Sequence, residues 1–159
     1  MNEQTRQNPV ERLIATSPTF APLILRLGLA IVILPHGLQK VFGLFGGAGI
    51  SGTIQSMATR QGLPAAIAVL VIATEFLAPI ALAAGFFTRI GALALGIEMT
   101  VAAFLVHAPR GFFMNWQSKQ AGEGFEFHIL AVAIAAASVL LGGGRFSFDR
   151  WLCARRQKR

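Results

Sequence analysis

The chain has 159 residues, of which 54% are hydrophobic and only 13% are charged. Soluble proteins carry about 25% charged residues, so the composition excludes an ordinary soluble domain and predicts one all-α unit embedded in a membrane. The net charge of +7 does not indicate nucleic-acid binding, because the basic residues stand at the ends of apolar runs and in a C-terminal cluster.

The apolar runs divide the chain into three parts. A polar N-terminal segment covers residues 1–21, a transmembrane domain covers 22–144, and a basic tail covers 145–159. A membrane span needs about 20 predominantly apolar residues. By this criterion four spans are predicted, at about 22–45, 64–86, 90–108 and 125–143.

Two long loops and one short turn connect the spans. The first loop is rich in glycine, and its residues 50–60 repeat apolar side chains at helical spacing, which predicts a short interfacial helix. The turn at Thr88 and Arg89 is so short that spans two and three must be antiparallel neighbours. The sequence therefore predicts an up-down-up-down four-helix bundle.

The distribution of Lys and Arg predicts the orientation, because cytoplasmic loops carry the excess of basic residues. The side of both termini collects ten: Arg6, Arg12, Arg26, Arg89, Arg145, Arg150, Arg155, Arg156, Lys158 and Arg159. The other side holds four: Lys40, Arg60, Arg110 and Lys119. Both termini are therefore expected in the cytoplasm and both long loops outside.

Every span contains at least one ionisable residue. Such residues cost about 2.5–3.5 kcal/mol each to insert, so they usually face the protein interior and mark function. In the first span His36, Gln39 and Lys40 share one helical face. They are expected to bind or exchange protons with a ligand. The alternative is that Lys40 reaches the interface and His36 caps a break at Pro35.

Spans two and three each carry a carboxyl group near mid-membrane. Glu75 is expected to be protonated or paired with a base. Glu98 and His107 lie nine residues apart, roughly 180° around a helix, so the two are not expected to face the bundle axis equally. The alternative for both carboxyl groups is a structural hydrogen bond between helices, and for His107 an interfacial position.

Span four begins with Glu126 and His128, about 200° apart around the helix, so only one of them is expected to point inward. We expect His36, Glu75 and one of this pair to converge on a cavity in the outer half of the bundle. The candidate catalytic residues are His36, Glu75 and Glu126, and the candidate ligand-binding residues are Gln39, Lys40, Glu98, His107 and His128.

Several stretches of the sequence resemble motifs of the DoxX family. They comprise a signature at the end of helix one, the start of helix two, a Glu followed by Gly-x-x-Thr-Arg, and a Gly-x-Glu start and Gly-x-x-Ser-x-Asp end of helix four. The matching stretches are residues 36–43, 62–64, Glu75 with 85–89, 124–127 and 144–149.

The resemblance implies a four-helix protein of the bacterial inner membrane, related to subunits of quinone-linked oxidoreductases. It implies a bound quinone, surrounding membrane lipids, and a partner redox subunit or a second copy of the chain. The sequence contains no Gly-x-Gly-x-x-Gly that follows a predicted strand and no Cys-x-x-Cys-His, so no flavin, nicotinamide or covalent haem site is predicted.

Two other functions stay open. One is a carrier of a small lipophilic molecule or an assembly subunit, in which the Glu and His residues serve stability alone. The other is a metal or haem site in the bundle, for which the Glu-x-x-His spacing of di-metal bundles is missing, because Glu126 and His128 are two apart.

Overall fold

The structure, a computed structural model, describes residues 9–156, and every regular element in that range is helical. The basic residues Arg6, Lys158 and Arg159 of the orientation argument lie outside it. The α-helices in chain order are α1 (Pro9–Ile14), α2 (Ala21–Phe42), α3 (Gly49–Gln61), α4 (Ala65–Ala84), α5 (Thr88–Ala102), α6 (Glu126–Leu141) and α7 (Phe148–Arg156).

Three helical segments are long and apolar enough to cross a membrane: Ala21–Phe42, Ala65–Ala84 and Thr88–Arg110. Their outward surfaces carry large apolar side chains, which water would disfavour and lipid would not. The fourth apolar helix, α6, has 16 residues. It is about 24 Å long, shorter than the roughly 30 Å of a bilayer's hydrocarbon core.

The first predicted span, at about 22–45, ends earlier in the structure. Helix α2 ends at Phe42, where Gly43 adopts a left-handed conformation (φ 70°), and a 3₁₀ turn, Leu44–Gly46, follows. The helix predicted in the first loop is present as α3 and packs against α2 and α4.

The apolar core lies between α2, α4, α5 and α6. Helix α2 packs on α4 and α6, and α5 packs on the same two helices. Gly37 permits a close approach of α2 to α4, because a Cβ there would stand 2.3 Å from the backbone oxygen of Glu75. The buried apolar residues are Leu29, Ala30, Ile33, Ala78, Leu82, Ala92, Leu95, Met99, Ala131 and Ala135.

One end of these helices is held by a polar cluster that we call the clasp: Arg26, Arg89, Asp149 and the main-chain groups they bind. Arg26 is 1% exposed and donates from Nε to the oxygen of Gly143 (3.0 Å) and from Nη1 to that of Leu82 (2.7 Å). It also donates to the oxygens of Ala83 and Phe146. The start of α2 is thereby joined to the end of α4 and to the chain that follows α6.

The other two members of the clasp hold the start of α5. The Asp149 carboxylate accepts hydrogen bonds from the backbone nitrogens of Phe87 (2.8 Å) and Thr88 (2.9 Å), two of the donors that a helix N-terminus leaves free. Arg89 donates to the oxygens of Ala15 (3.2 Å from Nε) and Val139. The end of α6 therefore lies beside the start of α5.

Candidate polar cavity between the helices

The end of the helices remote from the clasp encloses a cavity of about 370 Å³, which we call the polar cavity. Five of its lining side chains are ionisable candidates from the sequence, and they come from α2, α4, α6 and the continuation of α5. The full lining is Val32, Ile33, His36, Lys40, Glu75, Met99, Ala102, His107, Met114, Glu123, Phe127 and His128.

Lys40 and Glu75 form an ion pair between α2 and α4, with the Lys40 ammonium donating to Oε2 of the carboxylate. The two side chains are 20% and 10% exposed. The sequence left Glu75 either protonated or paired with a base, and the structure shows the pair. Both groups line the cavity, so their remaining hydrogen-bonding capacity is directed at that space.

Two imidazole rings of the cavity lining lie close together. The ring centroids of His107 and His128 are 4.1 Å apart. Nδ1 of His107 lies 2.8 Å from the backbone oxygen of Glu123, which fixes the proton on that nitrogen and leaves Nε2 as an acceptor. Nδ1 of His128 is buried and has no hydrogen-bond partner among the described residues. An unsatisfied buried polar atom is rare and costs free energy, which a group that reached it would recover.

A turn of π-helix, Ala103–His107, explains why His107 reaches the cavity. A regular α-helix would place it roughly 180° from Glu98. A π turn advances by about 80° per residue rather than about 100°, so five such residues rotate His107 back by roughly 90°. The prediction that the two residues do not face the bundle axis equally assumed a regular helix, and the π turn changes the angle between them.

Glu98 lies behind the cavity and not on its surface. Both carboxyl oxygens are buried, and neither has a hydrogen-bond partner with acceptable geometry in residues 9–156. Its charged neighbours are Glu75 and Lys40. The group therefore extends the polar cluster inward from the ion pair, although it cannot touch a molecule in the cavity in this conformation.

Besides Glu98, two candidate residues do not reach the cavity surface. The Gln39 amide donates to the oxygen of Phe45 in the first loop (3.2 Å). The Glu126 carboxylate accepts from the backbone nitrogen of Met114 (2.7 Å) and so fastens the second loop to the start of α6. Of the pair at the start of span four, His128 is the residue that faces inward, with 7% exposure.

The second loop supplies two lining residues that the sequence did not single out, Met114 and Glu123. Its two arms are joined by main-chain bonds, from Gly124 to Phe113 and from Glu126 to Phe112. Glu123 Oε2 accepts from the backbone nitrogen of Asn115 (2.6 Å). Glu123 stands in a polar stretch just before span four, and nothing in its spacing distinguishes it from a solvated loop residue.

The geometry gives no support to a metal centre. In the part of the chain that the structure describes, no three His, Cys, Asp or Glu side chains are grouped so that they could hold a metal ion. The two neighbouring histidines and the paired carboxylate instead form a surface of hydrogen-bond donors and acceptors above apolar side chains.

Three long apolar helices are typical of a helical membrane protein, and they surround a polar cavity. The chain belongs to the DoxX family, whose model matches residues 21–108. No curated protein and no solved structure matches the chain.

The matched region includes the motif around His36, the start of α4, Glu75 and the Thr88–Arg89 turn. It ends at Ala108, so the two stretches resembling the start and end of helix four fall outside it. Family membership is thus confirmed over α2, α4 and α5. The roles of the candidate residues stay predictions.

Proposed function

We propose that the polar cavity binds a quinone or a similar lipophilic redox molecule and exchanges protons with it, as a subunit of a membrane oxidoreductase. The observation that supports this best is the convergence of His36, the Lys40–Glu75 pair and the two neighbouring imidazoles on one space of about 370 Å³. Binding sites for small molecules combine apolar walls with a few converging polar groups, and their volumes start at about 300 Å³.

The chemistry of a quinone fits these walls. Each ring carbonyl accepts a hydrogen bond, and Lys40 and a protonated imidazole are donors. Reduction to the quinol consumes two electrons and two protons. His36 and His128 line the cavity, and imidazole is the side chain that most often acts as a general acid or base. The electrons come from a partner redox subunit, since the chain has no motif for a covalent haem or a flavin.

The proposal includes an arrangement in the membrane. Helices α2, α4, α5 and α6 cross the bacterial inner membrane as an up-down-up-down bundle, with the clasp at the cytoplasmic surface and the polar cavity toward the outside. Arg26 and Arg89 on the clasp side support this, together with the basic tail. A reporter fused after Arg159 should be active in the cytoplasm only, and tags at Ser56 and Ser118 should be accessible from outside. A periplasmic C-terminal reporter would overturn the orientation.

Purification in detergent tests the binding proposal. A lipid extract of the purified protein should contain quinone in near-stoichiometric amount, and added quinone should quench tryptophan fluorescence saturably. Glu75→Gln preserves size and should fold, yet lose most of the binding, because Lys40 then lacks the partner that positions it. Gln39→Ala is the matched control on the same helix as Lys40, and it should bind like the wild type. Equal binding by all three proteins would refute the proposal.

The alternatives give different results in the same preparation. A carrier or assembly subunit would bind a lipophilic molecule or a partner protein without any redox change of the ligand. A haem or metal protein would show an absorption band or a metal content near one per chain. Within residues 9–156 no three possible metal ligands are grouped, so a metal site is the less supported of these two alternatives.

A further inference from the structure

A second cavity lies on the outer surface of the protein, in the groove between α6 and the π turn that continues α5. Its volume is about 410 Å³. It faces outward, because Phe104 is 76% exposed and Ile129 is 49% exposed. We call it the apolar groove, and its lining is Thr100, Ala103, Phe104, Ala108, Phe125, His128, Ile129, Val132, Ala133 and Ala136.

The groove offers almost nothing to a polar group. Thr100 and His128 are its only side chains with polar atoms. The Thr100 hydroxyl already donates to the oxygen of Gly96 in its own helix (2.7 Å). A phosphate, sugar or charged group placed there would lose its hydration without compensation. The groove is therefore suited to a hydrocarbon chain.

The apolar groove and the polar cavity share one wall, the side chain of His128, which lines both. The same π turn shapes both spaces, since Ala103 and Phe104 border the groove and His107 borders the cavity. We propose that they form one binding site for an amphipathic lipid: the polar ring lies in the cavity, and its long hydrocarbon chain passes His128 and lies in the groove. This inference rests on the proposed function.

The groove and the polar cavity meet at His128. We therefore expect the groove to hold the hydrocarbon chain of the ligand in the cavity rather than the acyl chain of an ordinary membrane lipid. A molecule that diffuses in the bilayer must enter the polar cavity from the side, and the groove is an apolar depression on the bilayer-facing surface that reaches a residue of the cavity wall. The unpartnered Nδ1 of His128 lies at this junction. The groove thus extends the site and sets a preference for ligands with a long chain.

Two benzoquinones test this, one without a side chain and the same ring with a decyl chain. Binding is measured by fluorescence quenching at one fixed detergent concentration, so that partition into micelles is the same for every protein variant. Ala133→Phe and Ala136→Phe fill the groove from exposed positions of α6. Each should weaken binding of the decyl compound about tenfold and leave the ring compound unchanged. Ala66→Phe, at an exposed position of α4 outside the groove, is the control.

The outcomes separate the two proposals. If the ring compound binds while the groove variants leave the decyl compound unaffected, the groove holds ordinary lipid and the chain-site inference is wrong. If neither compound binds to the wild-type protein, the proposed function fails. A decyl chain ending in a diazirine gives a second measurement on the wild-type protein alone. Its photoproducts should map to residues 100–108 and 129–136, and labelling confined to other helices would overturn the inference.

Discussion

Arg26 near the start of α2 and Lys40 near its end are both cations within an apolar helix, yet their surroundings differ. Arg26 is enclosed and donates to four main-chain oxygens. Lys40 meets one carboxylate and borders an open space of about 370 Å³. Buried side-chain atoms without partners among the described residues occur at both ends, on His128 and Glu98 at the cavity end and on the Thr88 hydroxyl at the clasp end. The two ends differ in their cations, because a guanidinium held by main-chain oxygens joins helices, whereas an ammonium beside an open space can also bind a ligand.

The largest effect is expected from breaking the clasp. Arg26→Met keeps most of the side-chain volume but removes the four hydrogen bonds that Arg26 donates to the oxygens of Gly143, Leu82, Ala83 and Phe146. The free energy of unfolding should fall by at least about 3 kcal/mol. Thermal unfolding followed by size-exclusion chromatography in detergent measures the loss. Arg150→Met, an exposed arginine of α7, is the control and should unfold at the wild-type temperature. Equal stability of the two variants would show that the clasp is not structural.

Substitutions in the Lys40–Glu75 pair should lower the stability by less than Arg26→Met does, and their effects should not be additive. Lys40→Met leaves the Glu75 carboxylate beside Glu98 without a cation, which should cost about 1–3 kcal/mol. Adding Glu75→Gln should recover part of that loss, because the two residues act on each other. The four proteins of this cycle are compared by thermal unfolding, with Lys119→Met as an exposed control. Additive losses would mean that the pair is not formed in the membrane.

Glu98→Gln tests the role of the buried carboxyl group at the cavity end that has no partner among the described residues. The substitution keeps the shape of the side chain and removes a carboxyl group that lies next to Glu75. No described residue donates a hydrogen bond to this carboxyl group. Stability should stay within about 1 kcal/mol of the wild type or rise, while the affinity for quinone changes. A large loss of stability with unchanged binding would assign Glu98 to the structural group, together with the clasp.

The smallest effect is expected at Glu126. Its carboxylate accepts one hydrogen bond from Met114 in the second loop, and the amide oxygen of Gln can accept the same bond. Glu126→Gln should therefore change stability by less than about 0.5 kcal/mol and leave quinone affinity at the wild-type value. A loss of binding comparable to that of Glu75→Gln would return Glu126 to the catalytic group in which the sequence placed it.

Much of the architecture could be predicted from hydropathy, because long apolar runs have few other solutions. Spacing also placed His36 and Lys40 on one face, and both border the cavity. The π turn that redirects His107 could not be predicted, since five ordinary residues, Ala103–His107, carry no signal for it. Glu123 reaches the site through the fold of a loop, which periodicity does not describe.

In the count of basic residues, Arg26 served only to predict the orientation of the chain in the membrane. Its neighbours Leu82, Gly143 and Phe146 are distant in sequence, so the enclosed position of Arg26 required knowledge of how four helix ends meet. The same holds for Asp149, which lies in the basic tail by composition and at the start of α5 in space.

The position of Asp149 has a consequence for the order of assembly in the cell. The residue that caps α5 at Phe87 and Thr88 is made about sixty residues after them, and the contact between Arg26 and Phe146 joins residues 120 positions apart. A ribosome emits the chain from its N-terminus, so α2, α4 and α5 enter the bilayer with these donors and acceptors still open. The helix ends of the clasp are therefore joined only at the end of synthesis. A nascent chain that stops before Asp149 exposes the uncapped start of α5 to quality-control proteases.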